Sequence, residues 1–289
     1  MRCMRKFGLL VLAAVLFTIP VLAQDHPQDQ PLKAAVDMGY VPFAFVNEKG
    51  EEVGFAIDLA KALAERLGRP GVEIVSVPWS GIFAALDAGR VEFIAAPTNI
   101  RPSRAENMLF TEPWADTAQA IAVNARLADV VHTPEDLKGL TIGVNTGSVA
   151  DDWVTEHQQD YGFEIERFDN VLDALLAVDT GRIEAVMADI ETLGYAVKDR
   201  PNVVLVITIK GEEQYGLPCR KGDREFRNLL ERALEGLKLD GTLQALYEKW
   251  FGVAPEPVSA TNLVYVGYGV PGLPGYELAF HKPLFAGGE

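Results

Sequence analysis

The chain is poor in cysteine, in histidine and in positive charge. Two cysteines in 289 residues are too few for a disulfide framework or a cysteine-rich zinc site. The four histidines, His26, His132, His157 and His281, lie far apart with no metal-ligand spacing, so neither a metal nor a cofactor is expected. Lys and Arg total 26 against 41 Asp and Glu, a formal charge of −15. Such a surface repels phosphate backbones and argues against nucleic acid as a partner. Ser–His–Asp order, a phosphate loop and paired metal ligands are also missing, so no catalytic residue is assigned. What remains is ordinary globular composition, 48% hydrophobic and 23% charged, with length for one large domain or two smaller ones.

Long apolar runs are scarce too, with one exception at the N terminus. Arg2, Arg5 and Lys6 precede the run Phe7–Phe17, Pro20 breaks it, and Val21-Leu22-Ala23 offers small residues for cleavage before Gln24. Residues 1–23 therefore read as a cleavable secretory signal; the run is shorter than the roughly 20 residues a membrane span needs. Cys3 stands before the apolar core, so it is not a lipid-accepting cysteine. Export removes three basic residues, takes the charge from −15 to −18, and leaves Cys219 as the single cysteine. With no internal disulfide, the fold rests on its core. Cys219 continues an alternating run, Tyr215, Leu217, Cys219, which places it in a buried strand.

Between the ends, strands and helices alternate. Leu32–Val36, Val72–Val77, Val91–Ala95, Thr141–Val144 and Ile183–Met187 read as strands. Helices are expected after Asp58, Ser80, Ser148, Asp169 or Asn170, Asp223 and Thr242, each residue read as a helix start. This alternation implies parallel sheets covered by helices. An internal echo points to two related lobes: residues 84–97 and 176–189 both run helix, Gly-Arg turn, strand. From Val253 to Glu289 the composition shifts to Gly, Pro and aromatics. Gly267-Tyr-Gly269-Val-Pro-Gly272 has the letters of a dinucleotide loop, but Pro271, Pro274 and Gly275 prevent the helix that such a loop needs. The tail is expected to be extended or packed on the surface.

Ligands of open parallel sheets sit beyond the carboxyl ends of strands. The echo therefore singles out two loops, one carrying Arg104 and one beginning at Asp189. A guanidinium holds a carboxylate bidentately and a carboxylate accepts from an ammonium. If the lobes face each other, the pair suits a free amino acid.

At these residues the sequence resembles the periplasmic solute-binding proteins of polar amino acid ABC importers, extracellular solute-binding family 3. The resemblance is carried by Asp37-Met-Gly-Tyr-Val-Pro-Phe43, Gly54-Phe-Ala-Ile-Asp-Leu-Ala60, Asn99-Ile-Arg-Pro-Ser-Arg104, Leu137-Lys-Gly139 through Gly143-Val-Asn-Thr-Gly-Ser148, Gly181–Asp189, and Leu239-Asp-Gly-Thr242 through Trp250-Phe-Gly252. It implies an α/β, type II periplasmic-binding-protein fold: two lobes, each a mostly parallel sheet covered by helices, joined by two hinge strands. Lobe 1 would be 31–117 plus 210–252, lobe 2 would be 118–209, and 253–289 a Gly/Pro-rich C-terminal extension. The hinge would lie near Thr117–Asn124 and Lys210–Leu217.

The resemblance further implies that Arg104 clamps an α-carboxylate and Asp189 takes the α-ammonium. Backbone at Pro97, Asn99 and Val149 would assist, as would Asn145 and the helix opened by Ser148. Tyr40 and Trp79 would sandwich the ligand side chain, with Asp37 near its far end. Pro97 departs from the family pattern because proline has no N–H to donate. The implied protein is a monomer in the periplasm that delivers an amino acid-like solute to ABC permease subunits in the inner membrane. Two alternatives use the same fold: a cyclohexadienyl dehydratase-like enzyme, which would need a cleft acid where Thr192 stands, and a ligand-binding accessory or sensor module using the tail as a docking arm.

Overall fold

A computed structural model describes residues 26–286. The signal segment expected at 1–23 lies outside the described residues. Among them no helix is long and apolar enough to cross a membrane.

The chain builds two sheets. The first has five strands in the order Val72–Ser76, Leu32–Val36, Phe93–Ile94, Pro218–Arg220, Met108–Phe110. Leu32–Val36 pairs in parallel with both neighbours, and Pro218–Arg220 runs against its two. Side chains alternate across a strand, and the two faces separate accordingly. Leu32, Ala34 and Val36 pack with helices Phe55–Arg66, Arg224–Leu239 and Thr242–Phe251, whereas Ala35 and Ile94 pack with helix Trp79–Asp87. Cys219 is fully buried in the first of these cores, as the alternation predicts.

The second sheet has six strands, ordered Glu164–Phe168, Thr141–Asn145, Ala185–Asp189, Ala115–Asn124, Val203–Gly216, Thr98–Asn99. The first three are parallel; Ala115–Asn124 and Thr98–Asn99 reverse direction. Ala120 and Ala122 face helices Val171–Asp179 and Ile190–Ala196, while Ile121 and Val123 face helix Val149–Tyr161. Two long strands connect the sheets: Ala115–Asn124 and Val203–Gly216 pair antiparallel, with register shifts at Leu205/Ile207 and Ile209/Glu213. The echo is repeated in three dimensions. The Arg90 N–H donates to the Ala85 carbonyl at 3.0 Å and the Arg182 N–H to the Ala177 carbonyl at 2.8 Å.

Some helix starts differ from the sequence expectation. Helix Phe55–Arg66 begins before Asp58, capped by Gly54 at φ 144°. A Cβ there would collide with the Phe43 carbonyl, so a tertiary contact and a glycine-only backbone set the boundary. The Asp58 carboxylate instead accepts from Lys249 Nζ at 2.7 Å and Trp250 Nε1 at 2.9 Å. Helix Trp79–Asp87 is preceded by Pro78, not Ser80, whereas the last two helices start at Asp223 and Thr242 as expected. The strand expected over Val91–Ala95 shortens to Phe93–Ile94. Ser148 and Asn170 do cap their helices, accepting from the Asp151 and Asp173 N–H groups.

The tail from Val253 forms turns and one bridge, Tyr268 to Glu277, with no helix among its described residues. It lies along helix Arg224–Leu239 and covers a row of buried charge. Glu112, Glu231 and Glu235 are 0% exposed and Arg227 1%. Lys238 Nζ is 2.7 Å from Glu112 Oε1 and donates to the Pro113 and Leu263 carbonyls at 2.7 Å each. The Gly269 N–H donates to both oxygens of Glu231, at 2.8 and 2.9 Å. Arg227 donates to the carbonyls of Phe110, at 2.9 Å, and Gly275, at 3.1 Å.

Candidate functional site

Where the two lobes meet, a cavity is lined from both sides. The first body contributes Asp37, Tyr40, Trp79, Ala96, Pro97 and Asn99; the second contributes Asn145, Ser148, Val149, Met187 and Asp189. The strand ends explain the convergence. Leu32–Val36 ends one residue before Asp37, and Asp189 is the last residue of Ala185–Asp189. Ser148 caps helix Val149–Tyr161, whose first-turn N–H groups point toward the cavity end of the helix.

Nine of the ten residues singled out from sequence line this one cavity; Arg104 is the exception. Its guanidinium sits 5.4 Å from the Trp79 ring centroid and 5.3 Å from that of Phe83, and Nη1 donates to the Asn99 carbonyl at 3.1 Å. Its charge reaches Asp189, which it favours in the ionised form. Burial and the neighbouring Arg101 charge lower its pKa, opposed by Asp152 and Asp189. A guanidinium keeps its proton regardless.

The lining side chains also have partners within the protein. Tyr40 and Trp79 reach across to the other body. The Tyr40 hydroxyl donates to Asp189 Oδ2 at 2.6 Å, and Trp79 Nε1 donates to the Gly147 carbonyl at 3.1 Å. Asn99 offers little to a ligand. Arg104 takes its carbonyl, its amide goes to Glu213, and its backbone pairs with Tyr215 in the sheet. Asn145 spends its amide on the Phe168 and Asp169 carbonyls, at 3.2 and 2.9 Å, and so braces the loop.

The two carboxylates differ in their partners. Asp37 is 8% exposed. Burial pushes its pKa up to about 6, opposed by the Trp79 backbone N–H, and among the described residues it forms no ion pair. Asp189 is also raised by burial, against the Tyr40, Gln119 and Tyr215 donors and the Arg104 charge. Gln119 was not foreseen. It lines the cavity and its Nε2 donates to Asp189 Oδ1. A lone glutamine in the apolar run Ala118-Gln-Ala-Ile-Ala-Val123 is the signal that marks it. Ala150 and Ala188 complete the lining, and small apolar side chains carry no such mark.

The position where a dehydratase-like enzyme would need its acid carries none. Thr192 is buried without a carboxylate, and Glu191 turns to the linking strands. Glu191 Oε2 accepts from the Thr117 hydroxyl at 2.8 Å and the Tyr215 hydroxyl at 3.2 Å. Burial and the Asp189 charge push Glu191 up to about 7.

Comparison with known proteins fits this geometry. Residues 32–253 match the bacterial extracellular solute-binding proteins, family 3. The L-cystine-binding protein TcyJ of Escherichia coli (strain K12) is 29% identical over 216 residues, 74% of this chain and 79% of TcyJ. The histidine-binding periplasmic protein of the same strain is 30% identical over 235 residues, 77% of this chain and 88% of the relative. Among solved structures, an ancestral arginine-binding protein bound to arginine superposes with TM-score 0.74 at 36% identity, covering 78% of this chain and all of that one. The chain belongs to family 3 of the bacterial extracellular solute-binding proteins. It has the two-lobed type II fold and is a binding protein, not an enzyme. The tail beyond residue 253 lies outside the family match.

Proposed function

We propose that the protein captures a free amino acid with a cationic side chain between its lobes and hands it to an ABC permease. The observation that carries the ligand class is the charge inventory of the cavity: Asp37 and Asp189 line it, and Arg104 stands against its wall. Two carboxylates and one guanidinium are complemented by one carboxylate and two cations, the set found on arginine, lysine or protonated histidine. Buried charge without a partner is costly, so such a ligand gains most from this site. Asp189 takes the α-ammonium, Arg104 and the N–H groups behind Ser148 take the carboxylate, and Asp37 meets the side-chain cation. Tyr40 and Trp79 supply aromatic faces to the ligand's stem. Pro97 gives a carbonyl but no N–H.

Closure follows from differential contact. Lobe 1, residues 31–117 and 210–252, holds the ligand first. Lobe 2, residues 118–209, adds Asp189 and the Ser148 helix only when shut. The relatives are periplasmic or extracellular binding proteins by name. The leader read at 1–23 agrees with export, and we assign a monomer that docks on permease subunits at the inner membrane.

The test is calorimetric titration with L-arginine, L-lysine, L-histidine, L-cystine and L-glutamine, with thermal melting alongside. Basic amino acids are expected to bind tightest. Stronger binding of a neutral amino acid would overturn the assignment of Asp37. A folded protein that responds to none would overturn amino acid capture.

A further inference from the structure

We infer that Gln119 is a specificity-determining residue whose Oε1 accepts a hydrogen bond from the α-ammonium of the bound amino acid. This rests on the reading of Asp189 as the ammonium site and deepens it.

Gln119 lies on the linking strand Ala115–Asn124, directly across from Asp189 in the antiparallel register. The pairing holds their side chains together. Gln119 is 3% exposed and Asp189 6%. The amide has two ends with opposite chemistry. Nε2 donates to Asp189 Oδ1, and this fixes the orientation, since a flipped amide would set an oxygen against a carboxylate. The carbonyl end is then left over: Oε1 is buried and has no hydrogen-bond partner. A buried acceptor without a donor costs free energy and calls for an explanation. Because Gln119 lines the cavity together with Asp189, a ligand cation supplies the donor.

The ligand group is identified by proximity. Oε1 belongs to the amide that is bonded to Asp189, so it meets the cation that Asp189 meets. An ammonium has three N–H donors. Asp189 alone cannot satisfy them, because Tyr40 already donates to its Oδ2 at 2.6 Å. Gln119 Oε1 is the second acceptor. The arrangement discriminates against ligands with fewer α-N–H donors, because they leave this buried oxygen unsatisfied.

The experiment compares wild type, Gln119→Met and Asp189→Asn by calorimetry. The probe is whichever of L-arginine, L-histidine or L-cystine binds the wild type most tightly, together with its Nα-methyl derivative. Gln119→Met keeps the length of the side chain and removes both ends of the amide. It should bind the parent amino acid about tenfold more weakly. The preference of the wild type for the parent over the methylated ligand should shrink in the variant, which a purely structural role would not produce. Unchanged affinity in Gln119→Met, with Asp189→Asn strongly impaired, would overturn the role of Gln119 and leave the ammonium site standing. Unchanged affinity in Asp189→Asn would overturn the site beneath it. If Gln119→Met does not fold, the structure of the wild-type complex decides. Oε1 within about 3.2 Å of the ligand's α-nitrogen is expected, and an Oε1 turned to any other partner overturns the inference.

Discussion

Two buried charged clusters in this molecule use the same residue types to opposite ends. One lies under the tail, where Glu112, Glu231, Glu235, Arg227 and Lys238 are all buried. The other lines the cleft, with Asp37 and Asp189. Under the tail the protein completes its own electrostatics. Three carboxylates whose ligating atoms lie within 4.8 Å of one another resemble a cation site, but Lys238 Nζ at 2.7 Å from Glu112 already supplies the cation. Backbone N–H groups of Tyr265 and Gly269 serve Glu112 and Glu231, and His281 Nε2 lies 2.5 Å from Glu235 Oε1. In the cleft the circuit is left open. Among the described residues Asp37 has no ion-pair partner, and Asp189 is held by neutral donors from Tyr40 and Gln119. A closed cluster stabilises the fold through its partners; an open one stores a demand that a ligand satisfies.

The largest expected effect comes from breaking the closed cluster as a whole. Deleting residues 253–289 removes the tail carbonyls and N–H groups that serve Lys238, Arg227 and Glu231. Denaturant unfolding should show a loss of at least about 5 kcal/mol, because several buried charges lose partners at once. An unchanged midpoint would make the tail a passive passenger. Next, Lys238→Met leaves Glu112 and two carbonyls unpaired and should cost about 3–5 kcal/mol, read in the same unfolding experiment. Ligand affinity, measured separately, should stay within about twofold, since the cleft is untouched.

The open cluster should answer in the reverse sense. Asp189→Asn is expected to weaken binding of a basic amino acid about a hundredfold, near 2.7 kcal/mol. Its melting temperature should hold or rise, because a desolvated charge is gone. A melting temperature that falls with affinity intact would reverse the assignment of the two clusters.

The smallest effect is a pH dependence. Asp37 stands near 6 in the folded protein, above its ordinary value of about 3.9. Its raised pKa favours the fold below pH 4, and that contribution is lost as pH rises through 6. A ligand cation prefers the ionised form, so the sign for binding is opposite. Affinity for L-arginine should be level above about pH 7 and fall up to tenfold per unit below 6, within the range where the fold persists. Asp37→Asn should flatten that profile.

Much of this was legible in the sequence for specific reasons. The echo around Gly89-Arg90 and Gly181-Arg182 encoded two similar units because helix, turn and strand signals are local. Asp189 was legible because the echo ends on it, and Asp37 through the family resemblance. The helix starts after Gly54 and Pro78 differ from the sequence reading because Asp58 and Ser80 are good caps by type. The chain spends Asp58 on a distant helix instead. The contact of the Arg104 guanidinium with the Trp79 and Phe83 rings joins residues that no local spacing relates.

By itself, the amino-acid sequence determined the alternation of strands and helices, the two-lobed class, the buried strand at Cys219 and the residues that crowd one cleft. The alternation, the paired units and the buried strand follow from local pattern, which near neighbours in the chain carry; the cleft residues other than Arg104 and Asp189 come from the family resemblance. Only the tertiary structure decided what the charges do. It set Gln119 against Asp189 by strand register and folded the Gly/Pro-rich tail over Lys238 and Glu231. The pairing of buried charges depends on residues far apart in the chain coming within about 3 Å, and no local spacing encodes that distance.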